Sequence, residues 1–175
     1  MQTRRRFLVV GLAGAAVLAA TRLLERPAGA PSPALRFLDR DGAALIGALV
    51  PVVLAGAIPA QGAAREVAIR EVVEAFDRAV SGLAPAVRGE IDELLGVLRF
   101  APSRYLFAGL GMPLEEAGER RIAQFLSRWR ESRFDLLRAG YQALTQLIQA
   151  SWYGNAASWP AIGYPGPPSM SVSRP

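Results

Sequence analysis

Between residues 38 and 154, the order of apolar and polar residues indicates a series of helices. Apolar residues recur at intervals of three and four, which places them along one face of an α-helix. No segment alternates convincingly with the two-residue period of a half-buried strand. The pattern therefore predicts an all-α fold, with a single compact domain of five or six helices.

Proline and glycine divide this region into segments. Residues 38–41 offer an N-cap before the first helix, and Pro51 is expected to interrupt that helix. Glu115 and Glu116 are expected in the first turn of the helix that Pro113 opens, where the helix dipole favours anions. The predicted segments are 43–54, 64–80, one beginning at Pro85, a short apolar piece at 105–110, one beginning at Pro113, and 132–153.

Each helix is expected to bury one face. In segment 64–80 we expect Asp77 on the charged side, and in segment 132–153 we expect Phe134 on the apolar side. The apolar set of segment 64–80 is Val67, Val72, Val73, Phe76 and Val80. That of the helix after Pro113 is Ile122, Phe125, Leu126 and Trp129. The apolar set of the last helix is Phe134, Leu137, Tyr141, Leu144, Ile148 and Trp152.

Residues 155–175 differ in kind from the helical region. The stretch 158–168 holds four prolines, two glycines and two large aromatic residues, Trp159 and Tyr164. Proline fixes φ and removes an amide donor, so the stretch should be extended or turned, and we predict an extended Pro/Gly/aromatic C-terminal tail. Rigid backbone carrying aromatic side chains suits a binding surface. A tail that folds back and caps its own domain is the alternative.

The first thirty residues are similar to a twin-arginine export signal. Arg4 and Arg5 precede Phe7 and Leu8, and an apolar run follows at 9–20. The run is too short for a membrane span, which needs roughly 20 apolar residues. Cleavage could follow Ala-Gly-Ala at 28–30, although Pro31 should hinder it, or Val-Leu-Ala at 17–19; an uncut anchor is the other possibility. The predicted organisation is signal 1–30, linker 31–37, helical domain 38–154 and tail 155–175.

Charge and composition exclude several functions. The net charge of +5 comes mostly from the leader, because residues 31–175 hold 15 arginines and 14 acids. The composition therefore gives no reason to expect nucleic-acid binding. The chain has no Cys and no His, the commonest metal ligands and the usual groups of nucleophilic catalysis. Glu90 and Glu93 could share a helix face, but a solvated surface explains them better, so we predict no catalytic, cofactor-binding or metal residue.

An arginine-rich stretch runs from Arg120 to Arg138. It holds six arginines against two acids, Glu131 and Asp135. This pattern fits either a solvated face whose aliphatic stems cover the core or a contact surface for an acidic partner.

The end of the helical region and the tail carry a resemblance. Residues 144–155 read Leu-Thr-x-Leu-Ile-x-x-x-Trp-Tyr-Gly-Asn, and residues 159–167 read Trp-Pro-x-Ile-Gly-Tyr-Pro-Gly-Pro. With the export signal and the helical body, these motifs resemble the gluconate 2-dehydrogenase subunit 3 family. Its members are small subunits of periplasmic FAD-dependent alcohol and sugar dehydrogenases.

The resemblance implies a non-catalytic subunit that has no cofactor of its own. It would bind and stabilise a large FAD-dependent dehydrogenase of the glucose–methanol–choline type and co-export it through the twin-arginine translocase. The location would be periplasmic, or at the inner membrane if a membrane-associated cytochrome c completes the complex. The residues that match the family pattern, with a structural or partner-binding role, are Trp152, Tyr153, Gly154, Trp159, Ile162, Gly163, Tyr164, Pro165 and Gly166.

A second interpretation stays open. The chain could be a free-standing or membrane-attached periplasmic helical protein with no enzyme partner. Under the first interpretation, the partner enzyme determines the substrate.

Overall fold

The structure, a computed structural model, describes residues 35–99 and 112–166. These two ranges contain five α-helices and no strand, which confirms the all-α prediction. The helices are α1 (Arg40–Val53), α2 (Ala63–Ser81), α3 (Pro85–Arg99), α4 (Glu119–Arg130) and α5 (Asp135–Tyr153). Three 3₁₀ turns accompany them, at Leu114–Glu116, Ala156–Ser158 and Pro160–Ile162. The predicted signal residues Arg4, Arg5, Phe7 and Leu8, and the apolar piece at 105–110, lie outside the described residues.

Helix α1 forms the centre of the fold, and each of the other four helices contacts it. Its side chains Leu45, Ile46, Leu49 and Val50 are completely or almost completely buried. From residue 42 onwards the helix has no charged residue, and all of these residues except Ala44 are buried or half-buried. The prediction that Pro51 interrupts α1 is wrong, since the helix continues to Val53. Proline there removes one N–H from the helical bonding, two residues before the helix ends.

Asp39 fixes the beginning of α1, as the sequence predicts. Its Oδ1 accepts a hydrogen bond from the backbone N–H of Gly42 at 2.7 Å, which caps the helix. Both of its carboxylate oxygens also accept bonds from Nη1 of Arg99, at 2.8 and 2.7 Å. Because Arg99 is the last residue of α3, this ion pair joins the start of the central helix to the end of another.

Helix α4 begins later than predicted. Residues Leu114–Glu116 form a separate 3₁₀ turn, and the chain is extended at Ala117 and Gly118 before α4 starts at Glu119. Leu114 is fully buried and its turn contacts α1, so burial of this side chain is the physical reason for the break. Glu115 and Glu116 are therefore not in the first turn of α4.

The C-terminal tail is turned rather than extended over most of its described part. Two 3₁₀ turns occupy 156–158 and 160–162, and irregular backbone follows from Gly163 to Gly166. Pro160 is the first residue of its turn, where φ near −65° is required and no N–H is needed. Proline therefore permits a tight turn here as readily as an extended chain.

Within 35–99 and 112–166, no helix combines the length and the apolar character that crossing a membrane requires.

Candidate partner-binding surface

The described tail is attached to the helical domain through Asn155. Its Oδ1 accepts a bond from the N–H of Ala157 at 3.1 Å and so caps the first tail turn. Its Nδ2 donates to Oε2 of Glu71 on α2, also at 3.1 Å. Ser158 is buried and its Oγ donates to the carbonyl of Asn155 at 2.8 Å. The bond between Asn155 and Glu71 therefore holds the start of the tail against α2.

Trp159 organises the second half of the tail. Its Nε1 donates to the carbonyl of Tyr153 at 3.2 Å, and its own carbonyl accepts from the N–H of Tyr164 at 3.0 Å. The rings of Trp159 and Tyr164 meet edge to face, with centroids 5.3 Å apart and an angle of 82° between planes. Aromatic pairs prefer this geometry, which contributes about 0.5–1.5 kcal/mol beyond area burial.

Two glycines make this folding-back possible. Gly163 has φ +67°, in the left-handed region that glycine adopts without strain, and it ends the second turn. Gly166 has φ +99°, and a Cβ there would lie 3.2 Å from Cζ3 of Trp159. The backbone at Gly166 thus passes directly over the indole ring.

The predicted site residues divide into two groups. The Trp152 side chain belongs to the hydrophobic core, and Trp159 is only partly exposed. In contrast, the side chains of Tyr153, Ile162 and Tyr164 are 43%, 55% and 44% exposed, and Pro165 is also exposed. The first group is thus buried or half-buried, and the second presents large side chains to solvent. We call Tyr153, Ile162, Tyr164 and Pro165 the tail surface.

A groove of about 560 Å³ lies beside the tail, between α2 and the end of α5. Glu71, Glu74 and Arg78 give it charged walls. Its lining consists of Glu71, Glu74, Ala75, Arg78, Ala79, Ala150, Ser151, Gly154, Asn155 and Ala156.

The described residues contain no group of three or more His, Cys, Asp or Glu side chains arranged to hold a metal ion. Glu90 and Glu93 are both exposed on α3.

Sequence reasoning missed the role of Asp77, which is only 2% exposed and not on a charged face. Its carboxylate accepts hydrogen bonds from the backbone N–H groups of Arg36, Phe37 and Leu38, each at 2.8 Å. The end of the predicted linker is thereby attached to α2. The sequence does indicate this burial, since Asp77 lies four residues after Val73 and three before Val80, the spacing of one helix face.

Val67 shows the opposite deviation from Asp77, because it was predicted on the buried face of α2 and is exposed. It is 42% exposed, although its apolar character put it with the buried residues of α2. In this turn of α2 it is the next residue, Ala68, that is buried instead.

Comparison with known protein families, curated proteins and solved structures finds no match to this chain.

Proposed function

We propose that this chain is a non-catalytic small subunit that binds a large FAD-dependent dehydrogenase, stabilises it and takes it through the twin-arginine pathway to the periplasm. The tail surface is the observation that carries the proposal. The resemblance of the tail motifs to the gluconate 2-dehydrogenase subunit 3 family gives the partner class. The partner would be of the glucose–methanol–choline type, with a cytochrome c as a further component.

The tail surface has the properties of a preorganised contact site. Tyr153, Ile162 and Tyr164 are exposed, while the turns that carry them are fixed by Trp159 and Asn155. A rigid surface loses little conformational entropy on docking, so more of its contact energy becomes affinity. Exposed tyrosines and prolines with an aliphatic neighbour fit a partner's apolar pocket with a polar rim.

The leader supplies the second support. Twin-arginine signals direct folded cargo, and cofactor-containing proteins are frequent among such cargo, yet this chain has no Cys or His to ligate a metal cofactor. A flavin held by a partner without its own leader accounts for both facts. The proposal predicts that a neighbouring gene encodes a large FAD-dependent oxidoreductase without an export signal.

Export is the first test. The full chain is co-expressed with that oxidoreductase, and the flavoprotein is measured in the periplasmic fraction. We expect the double change Arg4→Lys and Arg5→Lys to keep the flavoprotein in the cytoplasm. Equal periplasmic amounts with either leader would contradict the carrier function.

Binding is the second test, made with the full chain. Ile162→Ser should weaken binding of the flavoprotein about tenfold or more, as for a side chain at the centre of an interface. Val87→Ser, a similarly exposed apolar residue on α3, is the matched control and should leave affinity unchanged. Equal affinities for the two variants would show that the tail surface is not part of the interface.

The alternative, a free-standing helical protein, predicts a different behaviour of the chain alone. It requires a monodisperse, stable monomer without any partner. A subunit that needs its partner should instead aggregate or be poorly soluble, and light scattering on the purified full chain distinguishes the two.

A further inference from the structure

A second exposed apolar group lies at the junction of α4 and α5. We call residues 128–138 the α4–α5 corner. Phe134 is 56% exposed and Leu136 is 81% exposed. The prediction that Phe134 packs on the apolar side of the last helix is wrong, because α5 begins at Asp135 and Phe134 occupies its N-cap position.

The corner holds four arginines, Arg128, Arg130, Arg133 and Arg138, against two acids. Both acids are already paired: Glu131 with Arg130 at 3.0 Å, and Asp135 with Arg138. The hydrogen bond from Arg130, followed by that from Ser127, holds the pKa of Glu131 below its ordinary value. The corner therefore has a formal net charge of +2, and each of its two acids is paired with an arginine of the corner.

The arginines are also held close to the apolar group. The guanidinium of Arg133 lies over the Phe134 ring, 5.0 Å from its centroid. Nη1 of Arg138 donates to the carbonyl of Ser132 at 2.6 Å, which fixes the chain between the helices. Exposed apolar side chains and cationic groups thus share one connection between helices.

The size of the apolar group indicates the kind of partner. The exposed apolar group is small, with two side chains beside a formal net charge of +2. Reversible contact with a bilayer can rest on a group of this size, because a few inserted apolar side chains and the attraction of basic residues to anionic lipids add together. Guanidinium groups also form bidentate hydrogen bonds with phosphate.

We propose that the α4–α5 corner is a contact site for an anionic lipid bilayer. Phe134 and Leu136 enter the interfacial region, and Arg130 and Arg133 bind lipid phosphates. This contact does not depend on the proposed function, and the two can occur together. The 19 residues of α5 place the corner about 28 Å from the tail surface.

The absence of cysteine makes a direct test possible. Leu136→Cys in the full chain carries an environment-sensitive fluorophore, and Val67→Cys carries the same label as the matched control. Val67 lies near the far end of α4, since the neighbouring Arg65 pairs with Glu119. The labelled proteins are mixed with phosphatidylglycerol or phosphatidylcholine vesicles, with circular dichroism as the check on folding. The leader is present in every variant, so differences between positions report on the corner.

We expect the label at position 136 to shift to the blue on phosphatidylglycerol, while the label at position 67 stays in water. Leu136→Ser should weaken binding about tenfold, the effect of losing one inserted leucine. Arg130→Gln and Arg133→Gln should each weaken it roughly fivefold, whereas Arg70→Gln, the control on α2, should change it less. Salt at about 1 M should remove the arginine effects.

Three results would overturn the proposal. The first is an unshifted label at position 136 on phosphatidylglycerol vesicles. The second is an equal shift at positions 136 and 67, which means adsorption through the leader alone. The third is a shift that needs an added flavoprotein instead of lipid, which assigns the corner to a protein contact.

Discussion

Asp77 connects the segment before α1 to the C-terminal part of α2 through one carboxylate. Three successive backbone N–H groups, those of residues 36–38, point at its oxygens. Such bonds to a charged acceptor are stronger than neutral ones, and the N–H of Leu38 is buried away from water. The side chain therefore replaces the hydration of three amides at once.

We predict that Asp77→Asn lowers the free energy of unfolding by about 2–4 kcal/mol, because the amide has less negative charge and only one acceptor oxygen. Urea denaturation of the full chain measures the change. Glu74→Gln, three residues earlier on α2, is the control, since its pair with Arg78 is 4.0 Å long and exposed. It should change stability by under about 0.5 kcal/mol. Similar losses for both variants would show that the carboxylate of Asp77 has no special role.

The position of Asp77 shows how far residue type can mislead. A charged residue in a helix is assigned to the solvent side by its chemistry, while its spacing from Val73 and Val80 places it on the buried side. Spacing was the better guide here. The identity of its three partners could not be predicted, because they lie about 40 residues away in the chain.

At the scale of elements, α4 and α5 approach closely around one indole ring. Phe125 and Trp129 meet edge to face with centroids 4.7 Å apart, and both are buried. Gly140 of α5 faces this pair, and a Cβ at that position would lie 2.8 Å from Cζ3 of Trp129. The glycine therefore sets the distance between the two helices.

Gly140→Ala should destabilise the protein by about 1–3 kcal/mol, because the buried indole must shift to admit a methyl group. Gly89→Ala on α3 is the matched control, with nothing within 4 Å of the added Cβ. That change should stabilise by about 0.5–1 kcal/mol through helix propensity. Thermal unfolding measures the stability change of both variants. A stabilising Gly140→Ala would contradict the close packing of α4 and α5.

Helix faces were more predictable than helix ends. The four apolar residues assigned to α4 are all buried, because a period of 3.6 residues depends only on local geometry. The ends depended on tertiary contacts: Leu114 enters the core and delays α4. The structure buries part of Leu137 and leaves Leu136 in solvent.

For the whole molecule, the position of α1 determines which part should open last. Its contacts with all four other helices mean that exposing 45–50 requires the rest of the described domain to separate. The lack of charge after Asp41 was a sufficient sequence signal for this burial. Which helices pack against one another was not predictable, because periodicity carries no information about distant partners.

We predict that the amides of 45–50 exchange with solvent hydrogen only through global unfolding. Amides in the first turns of α3, which are exposed and contact fewer elements, provide the internal control and should exchange through local opening. Hydrogen exchange followed by mass spectrometry measures both. Faster exchange in α1 than at the start of α3 would contradict the central position of α1.

The three tryptophans give the protein a built-in optical readout. Trp129 lies in the core between α4 and α5, Trp152 is buried near the end of α5, and Trp159 is partly exposed in the tail. Collisional quenchers should therefore reach mainly Trp159, while loss of the fold should expose all three. Quenching of the intrinsic emission can thus distinguish an event at the tail surface from unfolding of the domain, without any added label.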